Sequence, residues 1–294
     1  MATVYEVITS RIVEMLNQGT IPWRKPWNAA EAPRNLLSGK AYRGINLFML
    51  TASAGASPYW VTYRQATELG GNVSKGAKGC PVVFWRPPSK PEDGTGEEEK
   101  RGFLLRYYTV FNVDQCEGIK GPAIEAKTFE PIEECARVVE AMQNAPSIAH
   151  GGDRAFYVPS LDAVQMPRPE SFHSAAEYYS TLFHELSHST GHASRLARKG
   201  ITDGAMAFGS HDYSQEELVA EMGAAFLCGT AGIEQATLEN SSAYLASWIK
   251  RLQGDARLVI TAAAQAQKAA DRVLGNSADE SKPVTGETTE AVAA

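Results

Sequence analysis

Residues 184–188 read His-Glu-Leu-Ser-His, an H-E-x-x-H run, and no other feature constrains the chain as tightly. On an α-helix, residues four apart share a face. His184 and His188 can therefore offer two imidazole nitrogens to one metal ion, with Glu185 beside them to take a proton from water. A catalytic zinc keeps three protein ligands and one open position, so a helix is required here and a third ligand must come from another part of the chain. The flanks agree with a helix: Ser174-Ala-Ala-Glu177 fits a capping box, and Tyr178, Tyr179, Leu182, Phe183 and Leu186 supply apolar positions. Gly191 fits the helix end. The plain alternative is an exposed helix with incidental histidines.

A third histidine ten residues after the first would mark the metzincin spacing, but that position is Ser194. His192 lies beyond the helix end and reads as a loop histidine. The better source is an acid-rich helix beginning near Ser214, which carries Glu216, Glu217 and Glu221 ahead of an apolar segment. Glu217 and Glu221 are four apart and share a face. Glu217 is taken as the third ligand and Glu221 as the carboxylate supporting a ligating histidine, an order that resembles the gluzincin pattern; the reverse assignment stays open. Ser214 and Glu217 also fit S-x-x-E, so Glu217 has a competing role as a cap. Two His and one Glu favour zinc, with manganese possible. Ahead of this helix, His211 and Tyr213 are candidates to donate to an oxyanion. Residues 155–159 and 163–166 read as short strands about a turn at 160–162, with 163–166 the candidate edge strand for an extended substrate.

A length of 294 residues suggests two domains, and 44% hydrophobic content is enough for real cores. No apolar run approaches the roughly 18 residues of a membrane span, and the N-terminus lacks the layout of a signal peptide. Cys80, Cys116, Cys135 and Cys228 have no paired spacing and read as reduced thiols of a cytoplasmic protein. Charge is uneven: residues 1–125 carry a balance of +3 and the remainder −9. The basic part contains an acidic run at 92–99, read as a solvated loop between strands. Such asymmetry suits an anionic partner for one part.

Val4, Val7, Ile8, Ile12, Met15 and Leu16 mark a helix that Gly19 would end. Ile21-Pro-Trp-Arg-Lys-Pro-Trp27 then interleaves two indoles with two cations, held extended by its prolines. Residues 82–86 and 104–111 look like strands flanking the acidic loop. Four of the five tryptophans fall in this part. Aromatics with intervening cations suit single-stranded nucleic acid, since bases stack on rings while Lys and Arg track phosphates. Equally, Trp and Tyr are most often packed. Further helices are expected over 129–144, 242–252 and 255–274, and residues 276–294 read as a disordered acidic tail.

Taken together, these segments resemble a known family. Ile21–Trp27, Tyr42-Arg-Gly-Ile-Asn46, Gly76-Ala-Lys-Gly79 and Tyr107–Val113 resemble the first domain of ArdC-type antirestriction proteins, also seen at the front of some plasmid primases. His184–His188, Thr190-Gly-His192, Ser194-Arg-Leu196 and Glu216–Glu221 resemble that family's zincin-like domain. The resemblance implies an α+β architecture. An N-terminal α/β single-stranded-DNA-binding domain (1–125) would precede a mainly helical metallopeptidase domain with a small sheet (126–275). It implies protection of incoming plasmid DNA from host restriction during conjugation, and one bound divalent metal. Candidate DNA contacts are Trp23, Lys25, Trp27, Arg43, Asn46, Lys75 and Lys78, with Gly76 and Gly79 letting backbone amides approach phosphates. Two alternatives stay open: a DNA-binding shield whose metal is purely structural, and a cytoplasmic metallopeptidase whose N-terminal half selects protein substrates.

Overall fold

The computed structural model describes residues 2–25, 32–53, 55, 57–86, 104–123, 131–202, 211–234 and 242–276. Trp27, the acidic run at 92–99 and the tail from 277 lie outside the described residues, as do the side chains of His211 and Tyr213.

Helix α1 (Val4–Asn17) forms where the apolar period placed it and buries Ile8, Ile12, Met15 and Leu16. Thr3 closes a capping box with Glu6, and Gly19 takes φ 78° just past the end. After a short 3-10 turn at Pro22–Arg24 come β1 (Arg34–Asn35), α2 (Ile45–Ala52), β2 (Tyr59–Val61) and α3 (Tyr63–Glu68). Next follow β3 (Asn72–Val73), β4 (Cys80–Arg86), β5 (Leu104–Asn112) and β6 (Cys116–Glu117). The main sheet has the order β1-β2-β5-β4, and β3 pairs with β6 in a separate ribbon. Strands β4 and β5 pair antiparallel from Cys80 opposite Val110 to Arg86 opposite Leu104. Side chains alternate across such a pair, so Cys80, Val82 and Val110 join the core while Pro81, Val83, Tyr107, Thr109 and Phe111 take the other face.

The C-terminal part runs α4 (Pro131–Ala141), β7 (Ser147–His150), β8 (Phe156–Val158), β9 (Ala163–Met166) and α5 (Ala175–Ser189). It continues with α6 (Lys199–Thr202), α7 (His211–Ala231), α8 (Ser242–Gly254) and α9 (Leu258–Val273). The expected strands at 155–159 and 163–166 both form. However, β7 adds parallel to β9, giving the order β7-β9-β8. Residues 163–166 are thus the central strand, and the edge-strand expectation is corrected: β7 and β8 are the edges.

One hydrophobic core runs through both halves. Phe48 of α2 stacks on Phe226 of α7 with ring centroids 4.5 Å apart. The alanine-rich α9 buries Ala262, Ala263, Ala266, Ala269 and Ala270; methyl-sized side chains let it lie close along α7. The Thr9 hydroxyl donates to the Ala256 carbonyl at 2.7 Å, tying α1 to the chain between α8 and α9. The N-terminal segments are therefore walls of the C-terminal bundle as well as parts of their own sheet.

Candidate metal centre

Helix α5 begins at Ser174, whose hydroxyl accepts the Glu177 N–H at 3.1 Å. Its last turns carry His184, Glu185 and His188. It crosses α7 at close range where Ser187 meets Gly223: a Cβ at 223 would stand 2.5 Å from the Ser187 Oγ. That close crossing brings α7's Glu217 beside both histidines. The Nε2 atoms of His184 and His188 are 3.1 Å apart, and Glu217 carboxylate oxygens lie 3.8 Å and 3.7 Å from them. Among the described residues these three form a group able to hold a metal ion, with ligand atoms all within 4.8 Å of one another.

The spacing fits a small divalent ion. Two nitrogens about 2.0–2.1 Å from a tetrahedral centre stand about 3.3 Å from each other, close to the separation seen. Helix α7 starts at His211, upstream of Ser214. Ser214 is thus inside the helix, and the competing role of Glu217 as a capping residue disappears.

The electrostatics favour ligation. Burial, together with the neighbouring His188 and the charge of Arg24, pushes His184 down to about 3, which leaves its lone pair free. Burial alone would lower His188, but a hydrogen bond to Glu216 and the charges of Glu217 and Glu185 outweigh it and hold it above the usual histidine value. Glu185 is 7% exposed, and burial raises its carboxyl above the ordinary range. The backbone of Tyr157, on edge strand β8, opposes that rise. Glu185 is therefore aimed at the sheet side of the centre and lies outside the ligand set.

The carboxylate behind the histidines is Glu216, which the sequence reading passed over. Glu216 Oε1 lies 3.3 Å from His188 Nδ1, and a proton on that nitrogen leaves Nε2 as the metal-facing lone pair. Arg198 clamps Glu216 through Nε at 3.0 Å and Nη2 at 2.6 Å. The same guanidinium reaches the Thr190 Oγ1 at 2.6 Å and the Ser187 carbonyl at 2.8 Å, so it also caps the end of α5. Burial would raise Glu216, but Arg198 and His188 overcome it and hold its carboxyl below the usual range. A second arginine, Arg195, donates to the Ser189 carbonyl at 2.8 Å and pairs with Asp162 at the β8–β9 turn, locking the end of the metal helix to the sheet.

Glu221 corrects the expectation set for it. One turn beyond Glu217, it accepts from Trp23 Nε1 at 3.1 Å and from the Tyr244 hydroxyl, with Arg24 at 3.7 Å. It faces the N-terminal segment and α8, where Trp23 sits edge-on to Trp248 at 6.1 Å. Neither of these two hydrogen bonds goes to a histidine.

The DNA candidates divide. Trp23 is 1% exposed, so its ring is packed and unavailable for stacking, a correction. Arg43 is spent on Asp271 of α9, donating to both carboxylate oxygens at 2.7 Å and 2.6 Å. Asn46 closes the outer edge of β4, donating to the Val83 carbonyl at 2.7 Å and accepting its N–H at 2.8 Å. Lys25, Lys75 and Lys78 are exposed. Gly76 takes φ 85° in the turn, as expected of a glycine there. Gly79 has a packing reason instead: a Cβ would sit 2.2 Å from the Thr109 methyl.

A helix bearing H-E-x-x-H, an acidic helix crossing it and a small mixed sheet define a zincin-like metallopeptidase fold, and a model of that description matches residues 134–265. A second model, the N-terminal domain of anti-restriction factor ArdC, matches residues 2–111. The Mn(II)-bound crystal structure of antirestriction protein ArdC from plasmid R388 is 40% identical, with TM-score 0.74, covering 95% of this chain and 99% of that one. Its metal-free form matches at 39% identity and TM-score 0.73, over 92% and 97% of the two chains. Protein y4eC of Sinorhizobium fredii (strain NBRC 101917 / NGR234), uncharacterized, is 36% identical over 94% of this chain and 93% of its own length. Two Escherichia coli DNA primases TraC are 38% identical over 92% and 97% of this chain, which spans only 20% and 28% of their lengths. The chain belongs to the ArdC antirestriction family.

Among the described residues, no helix is long and apolar enough to cross a membrane.

Proposed function

We propose that this protein binds single-stranded DNA through its N-terminal part and protects incoming plasmid DNA from restriction during conjugation, while its C-terminal part holds one divalent ion and hydrolyses peptide bonds. The observation that carries the reading is the 40% identity to ArdC of plasmid R388 across 99% of that chain, joined to the convergence of His184, His188 and Glu217. The donor set of two imidazoles and a carboxylate favours zinc, with manganese the alternative.

A divalent ion held by His184, His188 and Glu217 would supply Lewis acidity and would acidify water. Glu185 takes the proton from the attacking water and returns it to the departing amine nitrogen. Its raised proton affinity suits both halves of that transfer. His188, held by Glu216, and His184, kept neutral, orient their Nε2 atoms toward one point. A buried carboxylate outside the ligand set is what chemistry requires and a structural metal site does not, and this favours hydrolysis over a purely structural centre.

The test is transfer of a plasmid with and without this gene into restricting and non-restricting recipients. Loss of transfer only into the restricting recipient supports protection. Equal transfer with and without the gene overturns it.

A further inference from the structure

The main sheet has an inner face on the large core and an outer face only half covered. Val61, Ala66 and Val113 form a small second core over the β2 end of that outer face, with Val73, Cys116 and Ile119 packed against it. That small core does not include Tyr107 or Thr109. Between Phe111 and the buried Leu105 the face opens at Tyr107 and Thr109, while Val83 packs against the large core, and Tyr107 is 46% exposed although it lies mid-strand in a paired ribbon. The turn leading into β4 runs against the same face, since Gly79 fits directly under Thr109 and Phe111. That turn presents Lys75 and Lys78, both exposed, with the Lys78 carbonyl held by Gln115 Nε2 at 3.2 Å. Two carboxylates lie in the neighbourhood. Glu117 is bonded to the Ser74 hydroxyl at 3.3 Å, and Asp114 is turned to the Ser57 N–H at 2.9 Å.

An exposed ring on a rigid strand, with two cations along its rim, is the pairing of stacking platform and phosphate tracking that single strands use. We propose that single-stranded DNA lies on this uncovered outer face of β4 and β5, with a base stacked on Tyr107 and the backbone passing Lys75 and Lys78. The inference rests on the reading that the chain binds single-stranded DNA, and it moves the contact surface away from Trp23, which is packed, and from Arg43 and Asn46, which are engaged by Asp271 and Val83. A rigid strand suits the task because the ring is positioned before the DNA arrives, so little order is lost on binding.

The experiment is titration of the full chain with a fluorescent single-stranded oligonucleotide at several salt concentrations. Tyr107→Ala should weaken binding about 5- to 150-fold with little change in salt slope, and Tyr107→Phe should restore it. A Lys75→Ala/Lys78→Ala variant should flatten the slope by about 1.4, two single-strand phosphate contacts at about 0.7 each. Circular dichroism and melting show whether each variant is folded; the three side chains are exposed, so wild-type melting is expected. If wild type binds and all variants bind equally well with an unchanged slope, the assigned face is wrong while DNA binding stands. If wild type itself does not bind, or binds duplex equally well, the underlying reading fails.

Discussion

Glu216→Gln isolates the support behind His188. The substitution keeps the shape of the side chain and removes its charge. Glu216 and Arg198 side chains are 5% and 7% exposed, so the remaining guanidinium is left dry and without its counterion. Breaking a buried pair from one side costs about 3–5 kcal/mol, and the lower end applies because Gln still accepts a hydrogen bond. About 3 kcal/mol corresponds to a fall of roughly 6–12 °C in melting temperature for a chain of this size. Metal binding should suffer separately. Without the carboxylate on Nδ1, the tautomer and orientation of His188 are less well fixed, and affinity should drop about 10- to 100-fold. Unfolding in chelator measures the first effect, and calorimetric titration with Zn²⁺ at pH 8 measures the second. Glu216 helps raise the proton affinity of His188, so its removal eases competition from protons, and weaker metal binding cannot come from that source. Metal affinity within about twofold of wild type, against the 10-fold minimum expected, would refute the supporting role.

Glu185→Gln should bind the metal as wild type does and lose hydrolysis; a wild-type peptidase rate would remove Glu185 as the base. Trp23→Ala should destabilise the fold by about 3–5 kcal/mol, the usual cost of emptying a buried Trp site, and leave the salt slope of DNA binding unchanged. Wild-type stability in urea would show that the packing against Trp248 is not formed. Asp162 is held below its ordinary value of 3.8, first by its hydrogen bond to Arg195. Its folded proton affinity is thus depressed, so its stabilisation is present above the unfolded value and lost as pH falls through the folded one. Wild type should exceed Asp162→Asn in stability at pH 6, with the gap closing toward pH 3; a gap that widens on acidification would contradict the pairing.

Much of the fold was legible because it rests on local signals. Helix α1 follows from one apolar stripe and a Gly, and α5 from its cap and its histidine spacing. Strands β8 and β9 follow from their turn. What escaped was non-local. Strand β7 pairs with β9 across intervening chain, and only that pairing moves β9 from the edge to the centre. On the acidic helix, spacing favours Glu217 as ligand but leaves its exchange with Glu221 open; the crossing at Ser187 and Gly223 sets Glu217 beside both histidines and turns Glu216 toward His188. Arg198 carries no motif at all, being defined by the carbonyls at the end of α5. Tyr42-Arg-Gly-Ile-Asn46 and Trp23 read as a binding surface because aromatic and cationic residues serve packing and ligands alike. Their partners separated them: Arg43 found Asp271, Asn46 found the edge of β4, and Trp23 found Glu221.

The centre built by α5 and α7 is tested most directly by metal analysis of the purified chain beside His188→Ala, Glu217→Ala and Glu221→Ala. One divalent ion per wild-type chain, lost in the first two variants and kept in Glu221→Ala, is the predicted result. Retention of metal in Glu217→Ala with its loss in Glu221→Ala would contradict the assignment.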